Sequence, residues 1–248
     1  MFKIIQLTDC HLFADRRLRL RGCDTYSRLQ KVLEHVRRHH ADVRLLLLTG
    51  DLSEDGSEES YQHLQRLIGD TEIPAAALPG NHDDPALMRT LFDPDVITCP
   101  RYLELNSWQI ILLDSTVPGK IEGLLSHHEL EWLRQKLCES RKFTLIALHH
   151  PPIEVGSPWM DRVGLKNPEV LLSILTASPH VKAVVSGHAH QVDFAEFEGL
   201  TCHVTPSTCL QFKPGAVSFA VDVLPPAYRV LNLLSGGTLT THVEFVSG

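Results

Sequence analysis

Little in the chain's bulk chemistry points to a polyanion or a membrane. Its 248 residues carry 23 Lys and Arg against 30 Asp and Glu, a net charge of −7. There is no basic excess to suit a nucleic-acid groove. No apolar run approaches the ~20 residues that span a bilayer. The opening MFKIIQLTDC has one lysine and a short apolar strand. It lacks the long apolar core and small-residue cleavage site of a signal peptide. The six cysteines (Cys10, Cys23, Cys99, Cys138, Cys202, Cys209) are scattered, with no C-x-x-C. That spacing suits reduced thiols better than a disulfide frame and leads us to expect a cytoplasmic protein. There is no internal repeat, low-complexity tract or linker, and no G-x-S-x-G nucleophile elbow. A single domain over 1–248 is therefore expected.

Histidine, by contrast, is plentiful: 15 copies beside three tryptophans and four tyrosines. Imidazole is the commonest transition-metal ligand, but only position gives the excess meaning.

The hydrophobic pattern alternates strand and helix for most of the length. Residues 2–8 read as a strand. Leu29, Val32, Leu33 and Val36 recur at helical spacing and predict a helix over 25–39. Leu45 to Leu48 is an apolar run of the kind buried on both faces of a sheet. A helix over 57–69 and strands over 73–78, 108–113, 143–148 and 181–186 follow. Ser126 with Glu129 forms a capping-box pair opening a helix to Leu137. Asn167-Pro168 opens another, to about 177. From about 193 the pattern turns β-rich, alternating like antiparallel strands, with a Gly236-Gly237 turn between two of them.

Five polar motifs follow strands: Asp9-Cys10-His11, Gly50-Asp51, Gly80-Asn81-His82-Asp83, His149-His150 and Gly187-His188-Ala189-His190. Ligands of α/β sheets bind beyond the carboxyl ends of the strands, so the five converge on one edge. Singly each is commonplace; together, in this order, they are not. Residues i and i+2 of an extended segment point the same way. Asp9 with His11, and His188 with His190, would then share a metal or adjacent metals while Cys10 and Ala189 point away. The glycines before Asp51, Asn81 and His188 would let the chain turn sharply.

This order of motifs resembles the calcineurin-like metallophosphoesterase superfamily over residues 9–190. The resemblance implies an α/β fold of four layers, αββα, with two central mixed sheets between helices. It implies one metal held by Asp9, His11, Asp51 and His190, and a second by Asp51, Asn81, His149 and His188, with Asp51 bridging. His149 rather than His150 is the implied ligand, leaving His150 a supporting or packing role. Mixed imidazole, carboxylate and amide ligands without thiolate suit Mn, Fe, Co or Zn; the family points to two divalent ions, Fe and Mn. The implied reaction is attack by a metal-bridging hydroxide on a phosphate ester, with His82 protonating the departing alkoxide. The residues implied to meet substrate are His11, Asp51, Asn81, His82 and His190. Asp83 either orients His82 or is an exposed turn carboxylate.

A narrower resemblance concerns the substrate. Thr205 to Pro214, Ser157 to Asp161 and Leu165 to Asn167 look like bacterial class III 3′,5′-cyclic AMP phosphodiesterases, so the expected reaction is cyclic AMP to 5′-AMP. Formal charge mildly agrees. Two divalent ions are balanced by Asp9, Asp51, a hydroxide and a phosphodiester monoanion, whereas a monoester dianion leaves one negative charge over. The alternatives are another small phosphodiester (a glycerophosphodiester or a 2′,3′-cyclic nucleotide) and a non-catalytic metal-bound scaffold. The latter should have lost ligands or His82, and neither is lost. The packing reading of the three segments is loop and sheet contact alone.

Overall fold

The computed structural model describes residues 1–247; the last position of the expected 1–248 domain lies outside the described residues. In chain order the elements are β1 (Phe2–Leu7), α1 (Thr25–His39), β2 (Val43–Thr49), α2 (Glu58–Gly69), β3 (Ala75–Leu78), α3 (Pro85–Leu91), β4 (Ile97–Thr98), β5 (Tyr102–Glu104), β6 (Trp108–Leu112), α4 (His127–Glu139), β7 (Phe143–Ala147), α5 (Pro158–Asp161), α6 (Pro168–Thr176), β8 (Val181–Ser186), β9 (Asp193–Phe197), β10 (Leu200–Val204), β11 (Ala227–Leu233) and β12 (Leu239–Phe245). Two six-stranded sheets result, ordered β12-β11-β1-β2-β3-β4 and β5-β6-β7-β8-β10-β9.

The apolar alternation explains the layering. Along β2, Leu45 and Leu47 turn inward to meet Ile110, Leu145 and Val185 of the other sheet. Leu46 and Leu48 turn outward onto Leu29, Val32 and Leu64 of α1 and α2. Ile111, Ile146 and Val184 of the second sheet face Leu133 and Leu171 of α4 and α6 in the same way. A strand buried on both faces needs apolar residues at every position, which is what Leu45 to Leu48 supplies. The four layers are α, β, β and α, as expected. No helix among the described residues is long and apolar enough to cross a membrane.

Strands β1 to β4 run parallel, as do β6, β7, β8 and β10. The carboxyl ends of β1, β2, β3, β7 and β8 therefore gather at one edge of the sandwich, carrying the five motifs with them.

Several local expectations change. Past residue 193, β9–β10, β1–β11 and β11–β12 are antiparallel, but β10 lies parallel to β8. Side chains alternate with period two in both arrangements, so the pattern could not separate them. Residues 205–226 form no named strand and run as a long loop, pinned by an isolated antiparallel bridge between Phe212 and Val221. Gly237, at φ 86°, does turn β11 into β12. The capping box at α4 is half formed. Ser126 Oγ accepts from the Glu129 N–H at 3.1 Å, but the Glu129 carboxylate accepts from Arg101 at 2.6 Å instead of reaching back. Asn167 precedes α6 without capping it; its amide clasps Leu125, accepting at 3.1 Å and donating at 2.9 Å.

Candidate metal centre

The loops after β1 and β2 are zipped together by backbone bonds from Asp9 to Gly50, His11 to Asp51 and Leu12 to Leu52. The motif segments are not extended. Asp9, His11, Asp51, His188 and His190 all have left-handed φ, between 47° and 66°. Such a conformation in a non-glycine residue costs of order 1–3 kcal/mol and collects at functional sites. The side chains of Asp9 with His11, and of His188 with His190, converge through these left-handed turns and not through the extended backbone expected. Among the three glycines only Gly50 needs its positive φ of 89°. Gly80 and Gly187 are required for space: a Cβ would collide with the Asp51 carboxylate at the first, and with Thr8 and Asp9 at the second.

The hydrogen bonds of four buried histidines fix their tautomers. His11 Nδ1–H donates to Glu54 Oε2 at 2.6 Å, and His190 Nδ1–H to the Leu210 carbonyl at 2.7 Å. His149 Nδ1–H donates to the Thr49 carbonyl at 2.9 Å, and His188 Nε2–H to the Val163 carbonyl at 3.1 Å. Each ring thus turns a bare nitrogen inward. His11 Nε2 faces His190 Nε2 at 3.1 Å, and His149 Nε2 faces His188 Nδ1 at 3.3 Å. Two lone pairs cannot rest against each other at that distance without positive charge between them. Carboxylates complete the two groups. Asp9 Oδ1 lies 3.4 Å from His190 Nε2; Asp51 Oδ2 lies 3.4 Å from His149 Nε2 and 3.7 Å from His11 Nε2. Asn81 Oδ1 is 3.3 Å from His149 Nε2. Ligand atoms about 2.0–2.1 Å from a shared cation sit roughly 2.8–3.4 Å apart for octahedral to tetrahedral angles. The donor set fits a metal ion in each group, with Asp51 between them. Binding each outer ring N–H to a carbonyl or carboxylate is also how metal-bound imidazoles are oriented.

The titration directions say the same. Burial alone would raise the Asp51 carboxyl, yet His149, His11 and His82 hold it well below the usual carboxylate range. Burial would lower the His149 imidazole, yet chiefly Asp51 pushes it up to about 9, so that without a metal a proton on Nε2 supplies the positive charge the carboxylates demand. The centre is built to hold cations.

All seven candidate ligands named from the sequence meet at this edge. His150 lies against His149 and His188, but both its nitrogens are engaged. Nδ1 accepts from Ser115 Oγ at 2.8 Å and Nε2–H donates to the Ile121 carbonyl at 2.9 Å. Burial, with His149 beside it, pushes it down to about 3. Cys10 is turned into the apolar core, and burial raises its thiol to about 12. His82 stands at the rim with its side chain 36% exposed, and its backbone N–H donates to Asp51 Oδ1 at 3.0 Å. Its Nδ1 faces the Glu54 carbonyl at 3.2 Å, and its Nε2 has no protein partner among the described residues.

Two readings of Asp83 are corrected. It neither orients His82 nor sits exposed in a turn. Its carboxylate accepts from the N–H groups of Leu52, Ser53 and Gly80 and from Tyr61 Oη, tying the loops after β2 and β3 together. Glu54 was missed. Ser53-Glu54-Asp55-Gly56 reads as a solvated turn, and the only signal was a carboxylate three residues beyond Asp51.

Residues 2–192 match the family model described as calcineurin-like phosphoesterase. The chain belongs to that family. Among its relatives, the 3′,5′-cyclic adenosine monophosphate phosphodiesterase CpdA of Escherichia coli (strain K12) is 42% identical, the alignment covering 98% of this chain and 89% of that one. The protein of the same name from Pseudomonas aeruginosa is 38% identical over the same shares. A dimetal phosphatase from Danio rerio superposes with a TM-score of 0.71 over 99% of both chains; at 14% identity it bears on the fold alone.

The segments 157–167 and 205–214 contribute no side chain to the two metal groups, yet they are more than packing. The first supplies the Val163 carbonyl that orients His188, the second the Leu210 carbonyl that orients His190. Ser207 Oγ also donates to the Asp9 carbonyl at 2.8 Å.

Proposed function

We propose that the protein hydrolyses 3′,5′-cyclic AMP to 5′-AMP with two divalent metal ions. Asp9, His11, Asp51 and His190 would hold one, and Asp51, Asn81, His149 and His188 the other. Iron and manganese suit this imidazole, carboxylate and amide set, which contains no thiolate. When bound, such a pair supplies Lewis-acid polarisation of the phosphoryl group and a water of lowered pKa.

The chain's own residues do the rest. His11, Asp51, Asn81, His82 and His190 line the approach to the phosphoryl group. Asp51 anchors the His82 backbone and Glu54 meets its Nδ1, which aims Nε2 outward from the rim. A proton held at His82 Nε2 would pass to the ribose 3′-oxygen, a poor leaving group that needs one. The 5′-oxygen stays on phosphorus, giving 5′-AMP. The cytoplasmic location and the single 1–248 domain expected from the sequence belong to the same reading.

The observation that carries the substrate is the identity of 42% and 38% to two cyclic AMP phosphodiesterases across 98% of the chain, well beyond the metal motifs. The test is incubation of metal-loaded protein with 3′,5′-cyclic AMP, a 2′,3′-cyclic nucleotide, a glycerophosphodiester and a phosphomonoester, followed by chromatography. Formation of 5′-AMP faster than the other products supports the reading. Brisk turnover of the others without 5′-AMP refutes it.

A further inference from the structure

We infer that the nucleobase seats in the aromatic corner formed by Phe219 and Phe212, with the Arg21 guanidinium over it; this rests on the phosphodiesterase reading above. One cavity, of about 160 Å³, joins the reacting end of the site to this corner. His11, His82 and His190 line one end; Arg21, Phe212 and Phe219 line the other. The cavity takes part of a ligand and leaves the rest in the open mouth; its histidine end suits an anionic group and its aromatic end a flat, apolar one, as a nucleotide presents.

Phe212 is held in place. Its ring stacks on His190 with centroids 4.0 Å apart and 9° between planes. Trp159 and Phe219 meet it edge-on at 5.1 and 5.3 Å. Phe219, in contrast, is 43% exposed. The Arg21 guanidinium carbon lies 5.1 Å from its ring centroid. A phenylalanine kept half in water beside a charged site, with a cation over it, is a stacking platform without its third layer. Aromatic rings and guanidinium planes both stack on bases.

A larger cavity of about 430 Å³ opens on the other side, against His188, Met160 and Phe197. It carries the carboxylates Glu154, Asp161 and Glu169 and does not include His82. In hydrolysis to 5′-AMP the P–O3′ bond breaks, water oxygen bonds to phosphorus, and O3′ takes the proton from His82. The ribose therefore lies on the His82 side, and the base it carries falls in the Phe219 corner.

The experiment is steady-state kinetics of the metal-loaded enzyme on 3′,5′-cyclic AMP and on 1-O-methylribose 3′,5′-cyclic phosphate, which has no base. Phe219→Ala should raise KM for cyclic AMP by ~5- to 150-fold, the usual worth of one base–aromatic stack. It should leave kcat nearly unchanged, and Phe219→Trp should restore KM. The baseless substrate should not distinguish the three proteins. Equal effects on both substrates, or a rise in KM for cyclic AMP with Phe197→Ala and none with Phe219→Ala, would overturn the assignment. A wild-type protein that makes 5′-AMP but responds this way loses only the base site. One that makes none loses the phosphodiesterase reading and the base site with it.

Discussion

Glu54 gives the sharpest test of the centre, because it touches one metal group and not the other. Its Oε2 accepts from His11 Nδ1–H at 2.6 Å, and that bond leaves His11 Nε2 bare and aimed at His190. No such contact joins it to His149 or His188, whose outer N–H groups go to Thr49 and Val163. Glu54→Gln keeps an oxygen able to accept the N–H but loses its charge. Glu54→Ala removes the acceptor and frees the ring to rotate. Losing the partner of a metal-bound imidazole lowers metal affinity ~10- to 100-fold, which is about 1.4–2.7 kcal/mol. We expect Gln near the low end and Ala near the high end, because a charged acceptor bonds roughly twice as strongly as a neutral one. Isothermal titration of metal-free protein with Mn²⁺ should resolve two binding steps. Only one of them should weaken in each variant, with the melting temperature of the metal-free protein unchanged. If both steps shift equally, or neither does, Glu54 does not act through His11.

Two further substitutions probe the same edge. His82→Ala should retain both metals yet slow cyclic AMP hydrolysis by ~10²–10⁴-fold; with a nitrophenyl ester, whose leaving group needs no proton, the loss should shrink. An equal loss on both esters would make His82 a binding group. Gly187→Ala drives a Cβ into Thr8 and Asp9, so denaturant unfolding should show a destabilisation of about 1–3 kcal/mol, together with weaker metal uptake. Gly236→Ala, where nothing lies within 4 Å of the added carbon, is the control and should change neither.

The layers were legible because Leu45 to Leu48, and the runs in β6, β7 and β8, have no polar side, which only a sheet covered on both faces satisfies. The convergence of the seven candidate ligands was legible because each follows such a strand, and parallel strands deliver their ends to one edge. What stayed hidden depends on contacts far apart in sequence. Glu54 reads as a turn until the loop after β2 folds beside His11. Asp83 reads as the neighbour of His82 until its carboxylate is seen among the amides of Leu52, Ser53 and Gly80. Helix α3 sets Leu87, Met88 and Leu91 against the core, but at seven residues it is too short for a helical period to stand out. Strands β4 and β5, of two and three residues, are too short to show a period. The left-handed backbone at Asp9 and His188 leaves no trace in composition at all, since neither position is glycine.

Chemistry and specificity share parts in this site, and that decides where each can be altered. Phe212 stacks on His190, while the carbonyl two residues before it, on Leu210, fixes the His190 tautomer. A substitution at Phe212 therefore disturbs the metal group as well as the aromatic corner, and its kinetic effect mixes the two. Trp159 lies in the segment whose Val163 carbonyl orients His188, and its ring supports Phe212 and Phe219 together, so it is no cleaner. Phe219 is the exception. It touches Phe212, Trp159 and Arg21 but no imidazole of the centre, and it stands half in solvent, so truncating it removes little buried surface. The loops 157–167 and 205–226 carry the aromatic corner and also hold His188 and His190 in place. Relaxing specificity through Phe219 should leave turnover intact; relaxing it through Phe212 should cost metal.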